Sequence, residues 1–261
     1  YTGLFGYVMG SNAEIKNLGL INPNIQAAEG SYVASLIGYL DAGTVTSCYV
    51  EGGRVSGKKS VGGLVGYNRS GEINSCHATC RVSGDEEIGG LVGYLRGTID
   101  NCYAKGGVSG DQRIGGLVGR SSSGSITNSM ASGRASGQGR NVGGLVGDNS
   151  GSVANCSAGG DVLGDGTVGG LVGTNAGTVA CSYSNGSISA QGSTGGLVGG
   201  NRNIVSKCYA TGGVAGDGGV GGLVGVNTWP AKIICCYSIG AVGGTTYVGG
   251  LVGFRAYPNN P

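Results

Sequence analysis

The pentapeptide Gly-Gly-Leu-Val-Gly begins at Gly62 and returns at Gly89, Gly115, Gly143, Gly169, Gly195, Gly221 and Gly249. Two looser copies precede it, TGLFG at Thr2 and ASLIG at Ala34. The ten starts are separated by 32, 28, 27, 26, 28, 26, 26, 26 and 28 residues. A period of this length marks one supersecondary unit stacked on copies of itself, which removes most globular architectures from consideration. Length varies mainly at two places, the polar link before each motif and the Gly-rich turn after a Cys-Tyr pair. The first unit also carries an expanded loop, INPNIQAAEG.

Aligning the units exposes four apolar columns. The first reads Ile15, Val45, Ile73, Ile99, Ile126, Val153, Val179, Val205 and Ile233. Three residues on stand Leu18, Cys48, Cys76, Cys102, Ser129, Cys156, Ser182, Cys208 and Cys236. The third runs from Val55 through Val82, Val108, Ala135, Val162, Ile188 and Val214 to Val242, and the fourth, from Val33 to Val248, precedes each motif. These short β-branched runs are broken by glycine, so each unit reads as two or three strands with no helix. In NCYAKGGVSG, period two sends Cys102, Ala104, Gly106 and Val108 one way and Tyr103, Lys105 and Ser109 the other. The expected fold is all-β, a parallel β-solenoid (β-helix) of about nine coils of 26–28 residues, right-handed by default. At about 4.8 Å per rung it would be roughly 45 Å long. The chain reads as one repeat domain over 1–261, with an atypical first coil at 1–33, regular coils at 34–253 and a short tail at 254–261. Leu64 and Val65 can both face inward only if a corner or bulge lies between them.

Composition agrees with a regular object. Glycine supplies 61 of 261 residues, but there is no Gly-X-Y period and only 4 prolines, which excludes collagen. Apolar residues make up 39% and fall at fixed intervals, which argues against disorder. Net charge is +2 with no basic run, so a nucleic-acid partner is not expected. No apolar stretch approaches the ~20 residues of a membrane span, so insertion of this segment into a membrane is not expected either. No amino-terminal signal pattern is visible, and Tyr1 reads as an interior cut or a mature end.

The GGLVG core, together with AEIKNLGL (Ala13 to Leu20) and GTIDNCYAKGGVSG (Gly97 to Gly110), resembles the GLUG-motif repeat. That family occurs in bacterial surface adhesins and beside immunoglobulin-A peptidases. The resemblance covers nearly the whole chain and implies an extracellular or cell-surface bacterial protein. It implies no particular ligand.

Candidate chemistry is sparse. The only histidine, His77, shares an outward column with Tyr49, Tyr103, Tyr183, Tyr209 and Tyr237. No His-Glu-x-x-His helix accompanies it, and a flat rung offers no pocket for a Ser–His–Asp site, so no catalytic residue is assigned. Nine cysteines contain no C-x-x-C pair, and ligands stacked in one line do not converge on zinc. Cysteine exchanges with Ser129 and Ser182 in its column, which reads as small-residue packing by free, buried thiols. Pairing is conceivable only in the runs Cys48–Cys76–Cys102 and Cys208–Cys236, in strained geometry. The glycine-rich loops lack Gly-Lys-Ser/Thr, and the GDGT and GDGG turns lack a calcium-repeat period, so no cofactor or metal is expected. Alternating charges at Lys58, Lys59, Asp85, Glu86, Glu87 and Arg113 read as exposed pairs of little energy. An ice-binding solenoid would call for a regular threonine row, which no column supplies.

The best binding feature is tyrosine. One column holds Tyr49, Tyr103, Tyr183, Tyr209 and Tyr237; a second, after the motif, holds Tyr7, Tyr39, Tyr67 and Tyr94, then Arg120, Asp148 and Thr174. Such rows can receive a sugar or a partner protein, or simply stack on one another across rungs. The functional expectation is a non-catalytic extracellular structural or adhesive repeat, a stalk or filament block stacking end to end on copies of itself or flanking repeats. The alternative is a glycan- or receptor-binding ancillary segment of a larger secreted enzyme such as a peptidase. Asn22-Pro23-Asn24, Pro258 and Pro261 are candidate end caps that would oppose such stacking.

Overall fold

The computed structural model describes residues 1–257. A typical coil makes four strands, illustrated by Val65–Asn68, Glu72–Asn74, His77–Ala78 and Arg81–Gly89, and two coils split the fourth in two, as Ala135–Gly137 with Val142–Gly143 and Val162–Gly164 with Val168–Gly169. The first of these belongs to a ten-stranded sheet, the second and third to nine-stranded sheets, and the fourth to an eleven-stranded sheet. Pairing is parallel, and like aligns with like: Val45, Ile73 and Ile99 are direct partners. Together the four sheets form the β-solenoid of about nine turns expected from the repeat.

Four strands replace the two or three expected, and the cause is local. The residue before each cysteine-column position has a left-handed backbone, with φ of 49–55° from Asn17, Ser47 and Ser75 through to Cys235. Asparagine, which stands there at Asn17, Asn101, Asn128 and Asn155, is among the residues with a side chain that tolerate that region best. The bend breaks one long strand into two and turns the coil between the second and third sheets. A second left-handed position precedes the fourth apolar column at Tyr32, Ser60, Glu87, Arg113, Asn141 and Tyr247.

The repeated motif forms a further corner. Strand Arg54–Gly62 ends and strand Val65–Asn68 begins around Gly63 and Leu64, so Leu64 and Val65 both reach the interior at 0% exposure. A Cβ on Gly62 would lie 2.0 Å from the Val65 carbonyl, and one on Gly63 2.2 Å from the Gly90 carbonyl of the next coil. Both glycines are therefore required by close approach, within a coil and between coils.

The cysteine column is more than a packing position. Cys102 Sγ donates to the Asp100 carbonyl (3.1 Å), and its amide donates to Ser129 Oγ of the next coil (3.1 Å). Ser129 Oγ in turn donates to the Thr127 carbonyl at 2.6 Å. The left-handed corner leaves one amide per coil outside the ladder, and a short side chain that both donates and accepts satisfies it. Cysteine and serine share that property. All nine cysteines are free; Cys48, Cys76, Cys80, Cys102, Cys156 and Cys208 are buried, and Cys181 and Cys235 are exposed at left-handed corners.

A polar ladder runs inside the carboxyl-terminal half. Asn149 Nδ2 donates to Asn175 Oδ1 (2.9 Å), Asn175 to Asn201 (2.9 Å) and Asn201 to Asn227 (2.8 Å), all four buried. Nearer the amino terminus the same column reads Leu40, Asn68, Leu95 and Ser121.

Two boundaries differ from the sequence reading. The expanded loop at 21–30 lies mostly within an eleven-residue strand, Asn24–Ala34, whose register slips between Ala27 and Ser31 to absorb the extra residues. The tail assigned to 254–261 begins inside the last strand, Val252–Ala256, where Phe254 pairs with Val226. Pro258 and Pro261, candidate caps, lie outside the described residues.

Candidate functional site

The third sheet brings the first tyrosine column together as one stripe, with Tyr49, His77, Tyr103, Met130, Ser157, Tyr183, Tyr209 and Tyr237 in direct register. It is two stacks rather than one. Tyr49–His77–Tyr103 has ring separations of 5.3 and 4.5 Å and interplanar angles of 8° and 6°. Tyr183–Tyr209–Tyr237 has separations of 4.9 and 5.1 Å and angles of 1° and 4°. Rung spacing near 4.8 Å suits face-to-face stacking, so these rings spend their faces on one another. His77 lies between two rings with Nε2 3.8 Å from Glu51 Oε1. What remains open is a row of phenol edges and the outer faces of Tyr183 and Tyr237.

The second column, Tyr7, Tyr39, Tyr67 and Tyr94, stands on the first sheet. Here the structure adds two residues that the sequence reading missed, Tyr1 and Tyr32. Tyr32 stacks on Tyr67 (5.4 Å) and Tyr1 (5.5 Å), while Tyr67 stacks on Tyr94 (4.8 Å) and meets Tyr39 edge-on at 4.8 Å. Six rings thus form a continuous aromatic patch at the amino-terminal end. Burial raises the Tyr32 and Tyr39 phenols above the ordinary tyrosine range. The signal for Tyr32 was its position directly before the fourth apolar column, where the left-handed corner turns it toward the motif strand.

Beyond Tyr94 the patch passes into charge. Arg120 lies over the Tyr94 ring at 5.3 Å and reaches Glu87 Oε1 at 3.3 Å. Glu87 also accepts a hydrogen bond from Ser60 Oγ (2.6 Å) and is only 1% exposed. This corrects the reading of Glu87 as an exposed partner, because the left-handed corner folds its side chain under Arg120. Glu86 does behave as expected, pairing with Lys59 (2.9 Å) and Arg113, while Lys58 pairs with Glu29 (2.6 Å). Among the described residues, no three His, Cys, Asp or Glu side chains are grouped to hold a metal ion.

Against known proteins, the GLUG motif matches three consecutive stretches, residues 84–109, 110–136 and 138–163. These three coils are similar to the GLUG motif. No curated protein matches the chain in sequence. Among solved structures, a Bacteroides ovatus protein provisionally named an immunoglobulin A1 protease resembles it with a TM-score of 0.47 and 19% identity, over 93% of this chain and 68% of that one.

The matched GLUG coils contain none of the residues of the larger aromatic patch except Tyr94, and Tyr103 alone of the first column. The motif positions build the corner and the core, whereas the outward columns vary freely from coil to coil. Any recognition surface therefore has to be read from the particular side chains, not from the repeat.

Proposed function

We propose that this chain is a non-catalytic, extracellular or cell-surface bacterial rod segment, structural and adhesive in role, that stacks end to end with flanking repeats or further copies of itself. The observation that supports it most directly is the motif leucine column. Its members are fully buried from Leu36 to Leu223, each against the coils above and below, so a coil completes its core only within a stack. The GLUG-motif matches support the surface location, and the stacking of His77 between two tyrosines fits a structural role for the sole histidine.

Sedimentation analysis with negative-stain electron microscopy tests the stacking. End-to-end particles are expected, and Leu251→Lys should shorten them. A wild-type chain that stays monomeric at high concentration would remove self-stacking. A second reading, a glycan- or receptor-binding ancillary segment of a larger secreted enzyme, is favoured by the six-tyrosine patch, where Tyr1 and Tyr7 remain exposed.

A further inference from the structure

The corner between the fourth and first sheets carries two facing outward columns along the solenoid. Near the amino terminus they are filled by tyrosines and then by ion pairs. In the sixth to eighth coils they shrink, from Arg113 to Asn141, Thr167 and Ser193 on one side and from Arg120 to Asp148, Thr174 and Gly200 on the other. The space left is a cleft of about 550 Å³, within the range of small-ligand sites. Arg140 stands on the fourth-sheet rim and Arg202 on the first-sheet rim.

The polar groups of this cleft are unevenly used. Arg113 is engaged by Glu86 and lies 3.6 Å from Asp148 through Nε. Arg140 and Arg202 have no ion-pair partner among the described residues. Thr174 Oγ1 donates to Asn141 Oδ1 (2.8 Å), which fixes that amide and leaves both Nδ2 hydrogens for the cleft. Thr167 and Ser193 add hydroxyls, and Asp148, half-buried, adds a carboxylate that can accept from a sugar hydroxyl.

We infer that this cleft is a binding site for a hydroxylated carboxylate, an acidic sugar residue, with Arg140 and Arg202 receiving the carboxylate and Asp148, Asn141, Thr167 and Ser193 pairing with the hydroxyls. A neutral sugar would leave both guanidiniums without a counter-charge, and a simple anion would leave Asp148 facing like charge. The combination of two free guanidiniums, one carboxylate and three neutral polar groups fits a ligand carrying both functions. The inference is independent of end-to-end stacking, since the cleft lies on the side of the rod and away from its ends.

Titration with glucuronate, followed by saturation-transfer NMR and calorimetry, tests it, with glucose as the neutral control. Wild-type chain is expected to bind glucuronate and to bind glucose at least about tenfold more weakly. The double variant Arg140→Gln/Arg202→Gln should lose that preference. Gly200→Tyr keeps every charge but places a ring where Tyr94 stands in the same column; its Cβ has ordinary clearance, 3.4 Å from Thr167 Cγ2, so folding is preserved while the cleft is filled. It should abolish binding of glucuronate and leave the melting curve intact. No binding of glucuronate by the wild type, equal binding of glucose, or binding unchanged in both variants would each overturn the assignment.

Discussion

The amino- and carboxyl-terminal halves of this solenoid share one backbone and differ in what fills its columns. Inside, one column reads Leu40, Asn68, Leu95 and Ser121 in the first half, where Asn68 bonds only to Gly71 of its own turn, and becomes the coil-to-coil hydrogen-bonded series Asn149, Asn175, Asn201 and Asn227 in the second. Outside, the corner is closed by six tyrosines and by buried Glu87 under the partly exposed Arg120 in the first half, and opens into a polar cleft in the second. In-register parallel stacking makes each column a one-dimensional run in which like meets like, ring on ring or amide on amide. A site can arise where such a run stops, because the backbone continues while the side chains do not.

The largest expected effects break the inner column in each half. Leu95→Ala removes buried apolar volume and should destabilise by about 2–5 kcal/mol. Asn175→Ala leaves the Asn149 amide and the Asn201 carbonyl without their partner and should cost about 1–3 kcal/mol. Chemical denaturation of both variants measures the difference. An Asn175→Ala variant as stable as wild type would mean that the amide series adds nothing beyond what leucine does in the other half.

The repeat made the columns legible in the sequence, since a β-branched residue recurring every 26–28 positions has little alternative to a shared ladder. Other features escaped because they are polar or local. The asparagine series sits at the same spacing as the apolar columns, yet a search for apolar periodicity passes over it. Left-handed backbone at Asn101 or Ser75 is a property of one residue in its corner, and with it went the fourth strand and the donor-acceptor role of the cysteine column. Tyr49, Tyr103, Tyr183, Tyr209 and Tyr237 were readable as a stripe, but only ring distances reveal that they occupy one another's faces. The cleft was invisible because what builds it is the smallness of Gly200, Ser193 and Thr167 beside larger neighbours.

A smaller effect tests whether both halves use the cysteine column alike. Cys156 donates to the Ala154 carbonyl (3.1 Å) and its amide donates to Ser182 Oγ (3.0 Å). Cys156→Ser keeps the donor and should be close to neutral, whereas Cys156→Ala should cost about 0.5–1.5 kcal/mol. Burial pushes the Cys80 and Cys156 thiols up to about 11, so both should resist alkylation in the folded chain while exposed Cys181 and Cys235 react. Mass spectrometry after brief alkylation reads this directly, and rapid labelling of Cys156 in native protein would contradict the buried column.

The smallest effect contrasts two aspartates, one from each half. Hydrogen bonds from Thr127 and then Asn128 hold the Asp100 carboxyl below the ordinary carboxylate range. A depressed folded-state value means that Asp100 stabilises the fold above its unfolded pKa of ~3.9, and that this is lost as pH falls through the folded value. Asp148 is raised instead, because burial outweighs the opposing pull of Arg120, Arg113 and Arg202. Its contribution has the reverse sign: it is fully present below ~3.9, where the group is protonated in both states, and is lost as pH rises through the folded value. Asp100→Asn should therefore lower the melting temperature at pH 7, and Asp148→Asn should raise it. Both differences should shrink toward zero as pH falls below ~4, where the native carboxyls are themselves becoming neutral. Thermal melts of the three proteins between pH 3 and 7 provide the measurement. If Asp148→Asn melts below wild type at neutral pH, the guanidiniums around it outweigh its burial, and the cleft stores less unpaired positive charge than its geometry suggests.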